Sequence, residues 1–435
     1  MAGDATRTRI NQSAPDRVLT IRGSCFRFIS LTRSCSVVMN DESDSGRRTV
    51  SRRGYLSAAA ALGTVGIAGC GAPRADAGTG AENAAGSGDV VEQVEEWSGS
   101  DSTGVETDHP YTSPRTTIDL DERDGAITMS TTPCRHQLLG EDTRGGPWEL
   151  PEVWAWQTPD TDPSVPGPLL RVTEGTELEI TYDNSEHNRP HTFHVHGLSK
   201  SWMDDGVPTT TGQQVAPGEE HTYEITANQP GTHLYHCHYQ TQNHLDMGMY
   251  GILRVDPEGY EAPDKEAFMT IKDWDTRLSA SMAGGDVEFS HRDRNPDAFT
   301  VDGRSAPYTF HPEEASPLIV EEGNRVRIHY VNAGYESHAM HTHNHGFTLV
   351  EKDGGVIPEA ARHREDVIPI APAERKTIEF TASADPGVYA LHCHKVNHAM
   401  NGDAYPGGMI GGMVYESVMG SEQFASVMDL AGYEV

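Results

Sequence analysis

Lysine is scarce in this sequence, with six in 435 residues. Basic residues total 33 against 65 acidic ones, a formal net charge of −32. The first 69 residues hold 10 basic and 5 acidic residues, so the remainder carries 23 against 60. A field of that sign repels nucleic acid and anionic membranes, which excludes both as direct partners. The acid excess is spread along the body, so a disordered acidic tail does not explain it. It fits a halophilic protein kept soluble in concentrated salt, where charges are screened within a few ångströms; the alternative is an ordinary acidic secreted protein. Cysteine is also sparse: Cys25, Cys35, Cys70, Cys134, Cys237 and Cys393, with no C-x-x-C pair and no regular spacing. That argues against a disulfide framework. No long amphipathic helical pattern stands out, and no apolar run is long enough to span a bilayer stably.

What is present begins with a leader. In "GRRTVSRRGYLSAAAALGTVGIAGCGAP" (46–73), Arg52 and Arg53 precede a short apolar run. The segment resembles a twin-arginine signal, which exports folded proteins. It closes on "IAGC", which resembles a lipobox and would leave Cys70 lipidated. The competing reading is a plain signal peptide with a chance cysteine. Residues 1–70 are thus read as leader, with Met39 as an alternative start. The expected location is extracytoplasmic, with the protein anchored by lipid to the outer face of the cell membrane. Residues 71–114, rich in small and acidic residues in their greater part, read as a flexible, disordered linker.

The body repeats itself. "EGTELEITYDN" (174–184) answers "EGNRVRIHYVN" (322–332), "HTFHVHG" (191–197) answers "HAMHTHN" (338–344), and "APGEEHTYEI" (216–225) answers "APAERKTIEF" (371–380). Offsets of 147 to 156 residues give two domains, 115–258 and 259–435. Leu178, Ile180 and Tyr182 alternate with polar residues, as do Val326, Ile328 and Tyr330. Period two predicts strands with one buried face. Many short strands between turn signals predict an all-β chain of two sandwiches.

Each copy holds one cysteine between two histidines, "HCH" at 236–238 and 392–394. In a strand, i and i+2 share a face and i+1 points away. His236 and His238 therefore face one side and Cys237 the other. By the same parity His191 is expected to join Cys237, while His194 and His196 join His236 and His238. In the second copy His338 pairs with Cys393, and His341 and His343 with His392 and His394. Adding His244 and Met249 gives two imidazoles, a thiolate and a thioether, the blue-copper constellation. The second copy supplies His338, Cys393 and His398; its thioether is Met409, in a "GGM" context like the "MGM" of Met249, or the nearer Met400. The other eight histidines exceed the needs of a single metal and suit a copper cluster between two domains. Zinc also takes Cys and His; the thioether and the missing C-x-x-C weigh against it.

The motifs "VPGPLLRVTEGTELEITYDN", "HTFHVHG", "DDGVPTTTGQQVAPGEEHTYEI", "GTHLYHCH", "HAMHTHNHGF" and "GVYALHCHKVNH" resemble the multicopper oxidases, in particular two-domain, laccase-like members, over about 115–435. The resemblance implies two tandem cupredoxin-like Greek-key domains. It implies a type 1 copper in each domain, taking single electrons from a donor, and a type 2/type 3 trinuclear copper cluster reducing O2 to water. It also implies a homotrimer, with the cluster shared between neighbouring chains. Asp205 matches an acidic position near the cluster, where it would assist proton delivery; the alternative is a turn-forming Asp-Gly pair. The chain departs from the pattern in three respects, one being that Cys237 to His244 is two residues longer than Cys393 to His398. Both domains look complete where many relatives keep one type 1 site, and Val396 stands where an acidic residue is common. The donor is unidentified: a phenol, a metal ion or a redox protein.

His345 reads as structural or supporting, and His187, His221, His233, His291, His311, His329 and His363 as structural, since none has a motif partner. Cys134 reads as a small buried hydrophobe. Two other functions compete: a copper-containing nitrite reductase, and a non-enzymatic copper-binding electron-transfer lipoprotein. The first would not need His238 and His394; the second would leave eight paired histidines unexplained.

Overall fold

The structure, a computed structural model, describes residues 105, 107–139, 148–310, 318–403 and 405–430, together with one upstream strand pair. That antiparallel pair, Val38–Met39 with Arg48–Thr49, is what is described of the unit Met1–Ser87. Arg52, Arg53, Cys70, the linker through residue 104 and His311 lie outside the described residues.

The body is built from two β-sandwiches. In the first, one sheet holds Ala126–Leu139, Trp148–Thr158, Glu177–Asp183 and Glu220–Thr226. The facing sheet holds Thr117–Asp119, Leu169–Thr173, Tyr250–Asp256, Gly231–His236 and His194–Val195. Consecutive strands such as Leu169–Thr173 and Glu177–Asp183 lie in opposite sheets, so sheet neighbours come from distant sequence, as in Greek-key sandwiches. The second sandwich repeats the plan, with Arg325–Asn332 and Arg375–Thr381 in one sheet and His338–Thr342, Val388–Cys393 and Ile410–Tyr415 in the other.

The predicted alternation is observed in Glu177–Asp183, where Leu178, Ile180 and Tyr182 are buried and their neighbours are not. The second copy departs from it. In Arg325–Asn332, Val326, Ile328 and Tyr330 face the sandwich core, but His329 and Val331 are buried as well. The reason is tertiary: the outer face of this sheet packs on the first sandwich. Leu234, Tyr250 and Ile252 of the first half share one apolar core with Phe268, Trp274, Val331 and Ala333 of the second. Across the same seam the buried Arg254 guanidinium meets Glu351 at 2.8 and 3.2 Å. Thr232 Oγ1 lies 2.8 Å from His329 Nδ1.

The seam explains the burial of Gly231–His236 on both faces. Tyr235 and Cys237 enter the core between the two sheets of the first sandwich, while Leu234 enters the seam. The equivalent strand Val388–Cys393 sends Leu391 and Cys393 into its own core. Its alternate residues Val388, Ala390 and His392 are only half-buried.

Candidate metal centres

Each cysteine faces the inside of its sandwich. Cys237 Sγ lies 3.3 Å from His244 Nδ1 and 3.7 Å from His191 Nδ1, and the two imidazole nitrogens are 3.0 Å apart. All three side chains are buried. In the second half Cys393 Sγ lies 3.7 Å from His398 Nδ1 and 4.0 Å from His338 Nδ1, with 2.9 Å between the imidazoles. Burial pushes the Cys237 thiol up to about 12, so an uncompensated thiolate is disfavoured there. Burial also pushes His244 down to about 3 and His398 to about 4. Neutral imidazoles with free lone pairs, aimed at a thiol that needs a cation to ionise, are the donors a soft metal takes. The Thr192 N–H points at Cys237 Sγ from 3.4 Å, and the Ala339 backbone bonds to Cys393 in the same way.

The methionines close each centre through an identical backbone circuit. The Cys237 N–H donates to the Met249 carbonyl at 3.2 Å, and the Met249 N–H donates to His244 O at 3.1 Å. Cys393 donates to Met409 O at 3.0 Å, and Met409 donates to His398 O at 2.8 Å. Met249 and Met409 are both fully buried in their sandwich cores, whereas Met400 is outside the circuit. This favours Met409 as the counterpart of Met249.

The remaining histidines gather on the outer face of each sheet. Among His194, His196, His236 and His238, ring centres lie 5.0 to 5.5 Å apart. His341, His343, His392 and His394 repeat this at 4.8 to 5.6 Å. Carbonyls orient the rings. His194 Nδ1 donates to Asp205 O and His341 Nδ1 to Asp366 O, both at 2.6 Å. His236 Nδ1 donates to Cys237 O at 2.8 Å and His392 Nδ1 to Cys393 O at 3.0 Å. Such bonds fix the tautomer and leave Nε2 as the ligand atom. The Nε2 atoms of His196 and His236 then meet at 3.0 Å, and those of His343 and His392 at 3.1 Å. Burial pushes His196 down to about 2 and His236 to about 3. In each pair the Nε2 lone pair of His236 or His392 either accepts the Nε2–H of its neighbour or shares a cation with it. Among the described residues, no hydrogen bond or ring contact joins one quartet to the other.

Three residues with roles here carry no obvious motif. His187, read from sequence as structural because it has no motif partner, sits with Nδ1 2.6 Å from His191 Nε2 and supports that ring. Asp366 holds His341 as Asp205 holds His194, and the shared Asp-x-x-Pro of 205–208 and 366–369 is the signal that could have found it. Asp273 places Oδ1 3.3 Å from His338 Nε2, with nothing in the sequence to mark it. His345 is buried between His343 O and the Tyr415 hydroxyl. Asp205 Oδ1 lies 3.2 Å from Lys200 Nζ and 3.4 Å from His194 Nδ1, partly open to solvent.

A tandem of Greek-key sandwiches, each with a thiolate centre inside and an imidazole quartet outside, defines a two-domain cupredoxin protein. The sequence matches the multicopper oxidase family twice, over residues 154–259 and 287–405, and the chain belongs to that family. The blue copper oxidase of Nitrosomonas europaea superposes with a TM-score of 0.58 at 29% identity, over 67% of this chain and 86% of that one. Laccase-7 of Oryza sativa subsp. japonica is 26% identical over 238 residues, 52% of this chain and 41% of that protein. A probable nitrite reductase-hydroxylamine oxidoreductase fusion protein of Kuenenia stuttgartiensis is 28% identical over 261 residues, 58% of this chain and 28% of that protein. The chain therefore spans less than half the length of these two curated relatives. Copper of types 1, 2 and 3 is the cofactor of the family, and the donor sets described above suit it.

Proposed function

We propose that this protein is a laccase-like oxidase: it takes single electrons from a donor and passes four of them, with four protons, to O2 to give two waters. The observation that carries the reading is the back-to-back pairing, in both halves, of a buried His₂Cys centre with an outer quartet of imidazoles. Copper, when bound, supplies the one-electron oxidation and the O2 chemistry. The residues of the chain do the rest. His191, Cys237, His244 and Met249, and His338, Cys393, His398 and Met409, form the type 1 sets. The eight outer histidines hold the trinuclear cluster. The peptide bonds joining Cys237 and Cys393 to their flanking histidines connect each inner centre to its quartet. Asp205, between Lys200 and His194 at the solvent edge, hands protons inward.

The unequal quartets support a shared cluster. The seam covers the sheet bearing the first quartet, but His343 and His394 are exposed in the single chain. Each quartet alone supplies four imidazoles, and a cluster of three coppers uses eight. A neighbouring chain that covers the second quartet with its first repeats a head-to-tail contact, which closes into a ring; the homotrimer is the expected closure. The leader and Cys70 add export and a lipid anchor to the proposal, on sequence grounds.

Nitrite reduction is the competing chemistry, given the name of the Kuenenia relative. Against it stand His238 and His394, each drawn into a quartet. The test is to reduce the copper-loaded body without air in high salt, then admit O2 or nitrite and follow the blue absorbance. Return of the band with O2 consumed to water supports the oxidase. A band that stays bleached in O2 and returns on nitrite rejects it.

A further inference from the structure

The two cysteine centres share their donors and differ in what stands behind them. Behind His191 is another imidazole, that of His187 at 2.6 Å. Behind His338 is a carboxylate, with Nε2 3.3 Å from Asp273 Oδ1 and both side chains fully buried. Asp273 is held on every side. The Glu336 N–H donates to the same oxygen at 3.0 Å, and Arg294 donates to the other at 2.5 Å. Arg294 also grips Asp246 at 3.1 Å, and Lys272 reaches Asp246 at 2.6 Å. A second carboxylate, Glu336, places Oε2 3.2 Å from His398 Nε2, out of line for a hydrogen bond. Among the described residues no carboxylate comes within ion-pair distance of His191 or His244. A cation bears on each centre, the exposed Arg189 on His191 and His244 and Lys395, paired with Glu336, on Cys393 and His398.

A carboxylate that accepts the N–H of a ligating imidazole makes that imidazole a stronger donor. Stronger donation favours the more highly charged, oxidised ion and so lowers its reduction potential. A neutral imidazole in the same place does this weakly. Lys272 and Arg294 balance the two aspartates at long range, so the hydrogen bond carries the effect.

We propose that Asp273 is a positioning residue that acts through His338 to hold the second cysteine centre at a lower reduction potential than the first. The inference rests on reading both centres as copper sites. It assigns the centres different work: only strong donors reduce the second, and an electron within one chain settles on the first. The hydrogen-bonded path from His338 through Asp273 and Arg294 to Asp246 ends two residues from His244, so the centres are joined through the seam.

Copper-loaded Cys237→Ser and Cys393→Ser proteins each keep one blue centre. Anaerobic titration against redox mediators reads each potential from its own absorbance, without turnover. At any fixed potential the Cys237→Ser protein should be at least tenfold more oxidised than the Cys393→Ser protein, a gap of about 59 mV for one electron. Adding Asp273→Asn to Cys237→Ser should raise that potential and close most of the gap. Asp273→Asn also removes one of the two carboxylates that hold Arg294 in the core, leaving Asp246 alone, so a reciprocal variant guards against misfolding. His187→Glu in the Cys393→Ser background sets a carboxylate behind His191 and should lower the potential of the first centre. Equal potentials in the two single-centre proteins, or a gap that neither variant moves, overturns the inference. The expected gap in a protein that consumes no O2 upholds the inference and overturns the oxidase reading. No blue band in either protein overturns both.

Discussion

Replacing Gly206 with alanine should damage the first quartet without touching a histidine. Gly206 has φ +67°, and a Cβ there would lie 2.0 Å from Phe193 O and 2.8 Å from Phe193 C. Ordinary contact begins at 3.4 Å and contacts under 3.0 Å essentially never occur, so the 205–206 peptide must retreat from the 193–194 backbone by 1.0 to 1.4 Å. The carbonyl that moves is Asp205 O, which accepts the His194 Nδ1 proton at 2.6 Å. A retreat along that line stretches the bond to about 3.6–4 Å, beyond hydrogen-bonding range. Losing such a support typically lowers metal affinity 10–100-fold. The stability cost combines about 1–2 kcal/mol for alanine at positive φ with about 1–3 kcal/mol for the overpacking. Gly212→Ala is the control. It lies in the same loop at φ +71° with nothing within 4 Å of its Cβ, so it should incur the first cost alone. The assays are urea unfolding of the metal-free body and copper retention against a graded chelator. If Gly206→Ala matches Gly212→Ala within twofold in copper retention and about 0.5 kcal/mol in stability, the Asp205–His194 bond does not support the quartet.

Arg254→Met leaves Glu351 charged in the seam and should cost about 3–5 kcal/mol, while Arg254→Met with Glu351→Leu should recover most of it; equal losses in urea unfolding would refute a seam held by this pair. His136 and His233 are buried outside the metal centres, and burial pushes them down from 6.5 to about 3 and about 4. Because the unfolded chain then takes up protons first, their contribution is full above about pH 6.5, and these two alone should remove about 3 kcal/mol between pH 6.5 and 5; a flat urea midpoint over that range would refute it. Met409→Leu should shift the blue band kept by the Cys237→Ser protein and Met400→Leu should leave it unchanged, since Met409 alone shares the Met249 backbone circuit; the reverse result would return Met400 to the centre.

Parity made the two-sided arrangement legible in sequence, because strand period is fixed by backbone geometry. It separated His191 from His194 and His196 although the segment between His191 and His194 is not continuous strand. It also placed Cys237 opposite its flanking histidines. Parity speaks of one strand and not of what lies behind it, so the burial of His329 and Val331 by the seam was out of reach. So was Asp273, which reaches His338 from 65 residues away along the chain. His187 illustrates a different blind spot. It has no repeat partner because His338 is backed by a carboxylate instead, and the search for matching copies passed over the position where the copies differ. Asp366 was hidden only by Val367, which stands where the first copy has Gly206.

The unequal loops show which quantity a type 1 centre must keep constant. From Cys237 to His244 is seven residues, and from Cys393 to His398 five; from His244 to Met249 is five, and from His398 to Met409 eleven. The first loop contains the helical turn Thr241–His244, the second the 3-10 turn Val396–Ala399. Neither spacing is preserved, yet both loops end in the same pair of hydrogen bonds between Cys N–H, Met and His O. The longer loop needs a staple to do this, and Asn401 supplies it. Its amide donates to Ala306 O at 2.7 Å and accepts from the Gly408 N–H at 2.8 Å, which draws the chain back just before Met409. Gly408, at φ +55°, has no room for a Cβ, which would lie 2.2 Å from His398 O. What is conserved between the halves is therefore the closure at the cysteine, set by backbone bonds and a glycine, and the length of chain outside that closure is free to vary.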